Sequence, residues 1–204
     1  MRLVLAAHGT RDPAGAETVE SLARAVRHRL PEVPVVVGYA DVRRPTVAEV
    51  TEERSIVVPA FLGNGYHVRV DVPAQVGGRG RVTSALGPDP DLVGVVRDRL
   101  VEAGWTGEPV VLAAAGSREV GVRAEVEKVA GLLGEMLGVQ VRVGYVMGRP
   151  TVGEMVEKGW AVGSWLLAPG VFHRMVSEHG PVVGAPLGNH PAVADLIVRR
   201  FLSA

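Results

Sequence analysis

Short, continuously apolar runs alternate along this chain with longer amphipathic stretches. Leu3-Val4-Leu5-Ala6-Ala7 opens it. Pro34 to Tyr39, Ser55 to Leu62 and Arg81 to Leu86 follow, rich in β-branched residues. Runs of this length predict strands, the continuously apolar ones buried on both faces. Between the first two runs, Val19, Leu22, Ala23, Val26 and Leu30 recur at the spacing of one helix face. Asp12 followed by Pro13 predicts the start of that helix, a capping carboxylate and then proline at the first helical position. Thr46-Val47-Ala48-Glu49 is a capping-box pattern opening a short helix. Asp89-Pro90 opens another, ending near Ala103, and Gly104 to Pro109 reads as a linker.

The pattern then begins again. Val110 to Arg118 repeats Leu3 to Arg11, with Ala115 in place of His8. Gly144-Tyr145 repeats Gly38-Tyr39. Arg149-Pro150-Thr151-Val152-Gly153-Glu154 repeats Arg44 to Glu49, capping box included. Leu166 to Phe172 repeats Phe61 to His67, and Leu187 to Pro191 repeats Leu86 to Pro90. Strands alternating with helices predict a parallel sheet wrapped by helices. Built twice, this gives an α/β protein of two similar lobes, residues 1–104 and 109–204, from an internal duplication.

The chemistry gathers in the first copy. Gly63-Asn64-Gly65 breaks the third run, since Gly and Asn tolerate positive φ. His67 follows at once, with Asp71 four residues on. His8 stands at the end of the first strand. Ligands of open α/β sheets bind beyond the carboxyl ends of strands. An imidazole there serves as metal ligand or proton acceptor. In the second copy His8 has become Ala115, and Phe172 stands opposite His67 with His173 one residue late. We expect one active lobe and one degenerate lobe closing a cleft over it. A histidine pair without a third ligand in the motif is an open metal site, suited to handing metal on. Asp71 is placed either to orient the His67 imidazole or to cap the turn before Pro73. Arg11, Arg43, Arg44 and Arg69 lie in the loops that carry the histidines and point to an anionic substrate. His28, between Arg27 and Arg29, reads as a solvated helix face. His190, ahead of Pro191, reads as a cap or an exposed residue. His173 and His179 lie in a polar segment of the second copy.

Composition narrows the function classes. Lys+Arg and Asp+Glu are both 22, so the basic excess that would mark a nucleic-acid or membrane-surface partner is missing. Without cysteine, disulfides, iron–sulfur clusters and thiol nucleophiles are excluded. With 47% hydrophobic residues the chain buries a core. No run suggests a signal peptide or a membrane span, so a cytoplasmic protein is expected, and the built-in duplication fits a monomer.

Ala7-His8-Gly9-Thr10 invites comparison with the Arg-His-Gly motif of histidine phosphatases, but the arginine before the histidine is missing. Leu5-Ala6-Ala7-His8-Gly9-Thr10-Arg11 together with Val58 to Pro73 resembles the class II chelatases, the sirohydrochlorin chelatases of sirohaem and cobalamin biosynthesis, in their long duplicated form. The resemblance implies two α/β lobes and a carboxylate-rich tetrapyrrole substrate, which the arginines would receive. It carries over His8 and His67 as the metal-binding and proton-accepting pair. It implies no prosthetic group: a divalent ion, Fe2+, Co2+ or also Ni2+, is a substrate. A metal or tetrapyrrole carrier on the same fold, or a chelatase-like enzyme for another anion, are the competing expectations.

Overall fold

Strand β1 (Arg2–Ala7) is the centre of the first sheet in the computed structural model, which describes residues 1–204. It pairs in parallel with β2 (Val35–Tyr39), Leu3 opposite Val35, and with β3 (Ser55–Pro59), Arg2 opposite Ser55. β4 (Gly80–Val82) adds to β3, giving the order β2-β1-β3-β4. Leu3, Val4, Leu5 and Ala6 are fully buried, as expected of a strand covered on both faces. Val4 and Ala6 pack with Val47, Val57, Val72 and Val76. Leu3 and Leu5 point to the opposite face by strand alternation.

The helices start where their caps predict. α1 (Pro13–Arg29) begins with the Asp12 carboxylate accepting from the Ala14 N–H, and Arg27, His28 and Arg29 lie in its last turn. α2 (Val47–Val50) has both bonds of its capping box to Thr46. The Thr46 N–H donated to the Glu49 carboxylate is the main reason that carboxyl titrates below its ordinary value.

Two expected strands are shorter than the apolar runs. β3 stops at Pro59, which has no N–H for the ladder, and β4 ends at Val82. Beyond them the Phe61 carbonyl accepts from both Leu86 and Gly87 N–H, so the two segments close on each other at one point. A helical segment that the apolar pattern does not announce follows the Gly63-Asn64-Gly65 break. A π turn spans His67–Asp71 and runs directly into α3 (Val72–Val76).

The second unit repeats this plan with fewer strands. β5 (Val110–Ala114) lies between β6 (Val141–Tyr145) and β7 (Ala161–Trp165), all parallel. α4 (Pro90–Glu102) precedes β5, and α5 (Val120–Leu137) follows it. α6 (Val152–Met155) has its capping box to Thr151, and α7 (Val171–Val176) follows β7. Val58 stands opposite Leu5 and Gly163 opposite Leu112. The third strands therefore correspond at a separation of 105 residues, which sets Phe172 in the place of His67.

The division at residues 104 and 109 needs correction. One unit comprises Met1–Gly87 and Asn189–Ala204, the other Pro88–Gly188. α4 packs on α5 and β7, burying Leu92, Val93, Val95, Val96 and Leu100. α8 (Pro191–Leu202) packs on α1 and β3 and buries Val193, Ala194, Leu196, Ile197 and Phe201. Each copy's last helix thus completes the other copy's unit. Because the copies are alike, the apolar face of a final helix does not reveal which sheet it will cover. No helix is long and apolar enough to cross a membrane.

Candidate metal and proton-transfer site

His8 is the first residue past β1, and His67 opens the π turn beyond β3. The two strands are neighbours, so both imidazoles emerge at one edge of the sheet. Their ring centroids are 4.5 Å apart and their planes nearly perpendicular. Phe61 lies 6.4 Å from His8 and 6.1 Å from His67, and Tyr66 lies 6.3 Å from His67, between ring centroids.

Each imidazole meets an oxygen at Nδ1. His8 Nδ1 is 3.0 Å from the Gly9 carbonyl oxygen, and His67 Nδ1 is 2.6 Å from Asp71 Oδ2. Both oxygens only accept, so each neutral ring has its proton on Nδ1 and its lone pair on Nε2. Two metal–nitrogen bonds of about 2.1 Å, the zinc value, span at most about 4.2 Å, a reach that suits rings this close. No group of three or more His, Asp or Glu side chains is placed to hold a metal ion, so the pair itself is the candidate.

The backbone explains these positions. In the π turn the Val72 N–H reaches back to the His67 carbonyl. Such turns are rare and frequent at functional sites. This one sets the Asp71 carboxylate against the His67 ring, and Asp71 makes no side-chain capping bond to α3. On the other loop, the N–H groups of Ala40 and Asp41 donate to the carbonyls of Ala7 and His8 at 2.8 and 3.0 Å. Gly9, at φ +96°, allows that approach: a Cβ there would lie 2.1 Å from the Asp41 carbonyl oxygen.

The four arginines fall into different settings. Arg11 and Arg69 are exposed. Arg43 donates to the Thr10 carbonyl at 3.0 Å and lies over the Tyr39 ring, bracing the two loops together. Arg44 pairs with Glu49 and is 81% exposed. Gln75, which the sequence reading missed, donates to the Ala40 carbonyl and accepts from the Ala48 N–H. Its signal was its place four residues beyond Asp71, one helical turn on.

The equivalent edge of the second unit holds Ala115 and Phe172. His173 Nε2 is buried without a hydrogen-bond partner. Burial holds that imidazole below its ordinary pKa, against the opposing effect of a bond with the Gly184 backbone. His179 lines a cavity of about 230 Å³ with Tyr145, Gly153 and Met175. In the first unit, His190 caps α8 by accepting from the Ala192 N–H.

A family model described as CbiX matches residues 2–103, half of the chain. The sirohydrochlorin cobaltochelatase of Methanothermobacter thermautotrophicus is 28% identical over 131 residues, covering 50% of this chain and 91% of that one. SirB from Bacillus subtilis, in a structure with Fe3+, superposes with a TM-score of 0.80 at 22% identity, covering 100% of this chain and 95% of that one. CbiX described as the terminal enzyme for siroheme biosynthesis in denitrifying bacteria also gives 0.80, at 19% identity, covering 100% and 99%.

Proposed function

Because this chain belongs to the CbiX family, we propose that it is a sirohydrochlorin chelatase, inserting Fe2+ or Co2+ into the tetrapyrrole as the ring releases two N–H protons. The observation that carries this reading is the His8–His67 pair, 4.5 Å apart with an acceptor oxygen at each Nδ1. Both Nε2 atoms hold the incoming ion, and as it passes into the ring each freed Nε2 accepts one of the two pyrrole protons. Imidazole suits first-row ions of this kind, Ni2+ included. With two protein ligands the ion remains labile enough to leave for the macrocycle. Asp71 holds the His67 ring in the tautomer both roles require.

The test is an anaerobic absorbance assay of sirohydrochlorin with Fe2+, Co2+ and Ni2+ in parallel. Turnover well beyond one equivalent per protein is expected. Uptake that stops at one equivalent would instead identify a carrier.

Arg11, Arg43, Arg44 and Arg69 receive the substrate's peripheral carboxylates in this reading. Such contacts exist equally in ground and transition states, so losing them raises KM more than it lowers kcat. Arg44→Ala should raise KM by up to about five-fold, the scale of an exposed charge contact. Added salt should weaken binding less in that variant than in the unaltered protein, because screening has fewer pairs to act on. KM measured at low and high ionic strength in both proteins checks this. An unchanged KM and salt response would make Arg44 an ordinary surface residue.

A further inference from the structure

The loop after β2 contains a strained residue that the reaction as described does not use. Val42 has φ +66°, a conformation in which a β-branched residue is an outlier. The Arg43 N–H donates to the Asp41 carbonyl at 2.7 Å. Asp41, Val42 and Arg43 therefore form the γ-turn with positive φ at its centre, the rare and strained form. Asp41 Oδ1 holds the turn by accepting the Val42 N–H at 2.6 Å. Val42 is 48% exposed, so burial within the unit does not explain a valine here.

The second unit supplies an internal control. Val146 and Met147 repeat the bonds of Ala40 and Asp41 to the preceding strand's end, donating to Ala114 and Ala115. The next residue is Gly148, at φ +105°, where glycine has no side chain to clash. The unit that has lost the His8 counterpart uses glycine, and the unit that keeps both histidines holds a valine under strain. Val42 follows directly on Asp41, whose N–H is bonded to the His8 carbonyl. Chain-end residues Met1 and Leu202 apart, the large apolar side chains this unit exposes most are Val42, Tyr66 and Val70. All three belong to the segments that carry or adjoin the histidines. Their chemistry matches a flat apolar ring with its carboxylates at the rim.

We propose that Val42 is a specificity-determining residue whose isopropyl group seats the apolar ring of the tetrapyrrole beside His8. The proposal rests on the tetrapyrrole reading above. Its test compares Val42→Gly and Val42→Ala with the unaltered protein. The glycine variant should melt no lower than the unaltered protein, because the strain is gone. It should bind Co2+ alone as before. Its KM for sirohydrochlorin should rise about ten-fold with kcat within two-fold, the scale of a lost apolar contact in a pocket, and the alanine variant should fall between. If the unaltered protein does not turn over, the chelatase reading fails. Val42 is then judged by tetrapyrrole affinity in an absorbance titration, where the glycine variant should bind about ten-fold more weakly. A glycine variant with unchanged KM and unchanged affinity overturns the proposal. So does one whose melting temperature falls as its affinity falls, since that marks a structural role.

Discussion

Alanine in place of His67 should slow metal insertion by about 10²–10⁴-fold, the usual worth of a positioned proton acceptor, and alanine in place of His8 by a similar factor. In the proposed mechanism each substitution removes one of the two Nε2 lone pairs, leaving the ion one ligand short and one departing proton without an acceptor. The fold should survive. His8 is exposed, and the His67 side chain is 35% exposed, so neither loss opens a cavity in the core. Asp71→Asn should cost about 10–100-fold, the range for residues that orient a ligand from behind. An amide can present its NH2 to Nδ1, which draws the lone pair to that nitrogen and the proton to Nε2. Initial rates with Co2+ and circular dichroism on the same preparations give the answer. A folded His67→Ala protein working within ten-fold of the unaltered one would remove the pair from the mechanism.

Cutting the chain at the linker after Gly104 should leave two polypeptides that do not fold alone, although the sequence repeat makes that cut look natural. Residues 1–104 lack α8, whose Val193, Leu196, Ile197 and Phe201 are buried at 2% exposure or less. Burying each of four such side chains is worth about 1.5–3 kcal/mol, or about 6–12 kcal/mol together, nearly the whole stability of an ordinary domain. The same piece would also expose Leu92, Val93, Val95, Val96 and Leu100 of α4 to water. Residues 88–188, in contrast, contain every element of the second unit in one continuous stretch, and that polypeptide should fold. Thermal melts of the three polypeptides decide the matter. A cooperative transition in residues 1–104 would mean that α8 is dispensable to the first unit.

Much of the architecture was legible because strand and helix signals agreed with their surroundings. Leu3 to Ala7 is continuously apolar and became a strand buried on both faces. Asp12-Pro13 and the paired Thr46–Glu49 and Thr151–Glu154 boxes fixed helix starts through bonds only a few residues apart, and such local bonds survive any tertiary arrangement. His67 to Val72 was harder to place. Its polar and valine positions alternate, a strand-like period, yet it forms a π turn and enters α3. The preceding glycines and the partnership of Asp71 with His67 decided against the local preference. The candidate site was legible in its histidines, because the repeat marks where they were lost. Phe61, Tyr66 and Gln75 were not, since their places depend on how two loops and a helical turn meet. The exchange of α4 and α8 was hidden for a related reason, each helix having two equivalent sheets to choose between.

That exchange also says something about history. A single ancestral half, folded alone, could cover its sheet only by folding its final helix back onto it. Two identical chains could instead have traded their last helices, as the two copies do here. The linker between Gly104 and Pro109 then reads as the scar of a gene fusion that made this partnership permanent. Once joined, the copies no longer had to stay alike. One could keep its histidines while the other gave up His8 for alanine and His67 for phenylalanine, a division of labour closed to a pair encoded by a single sequence.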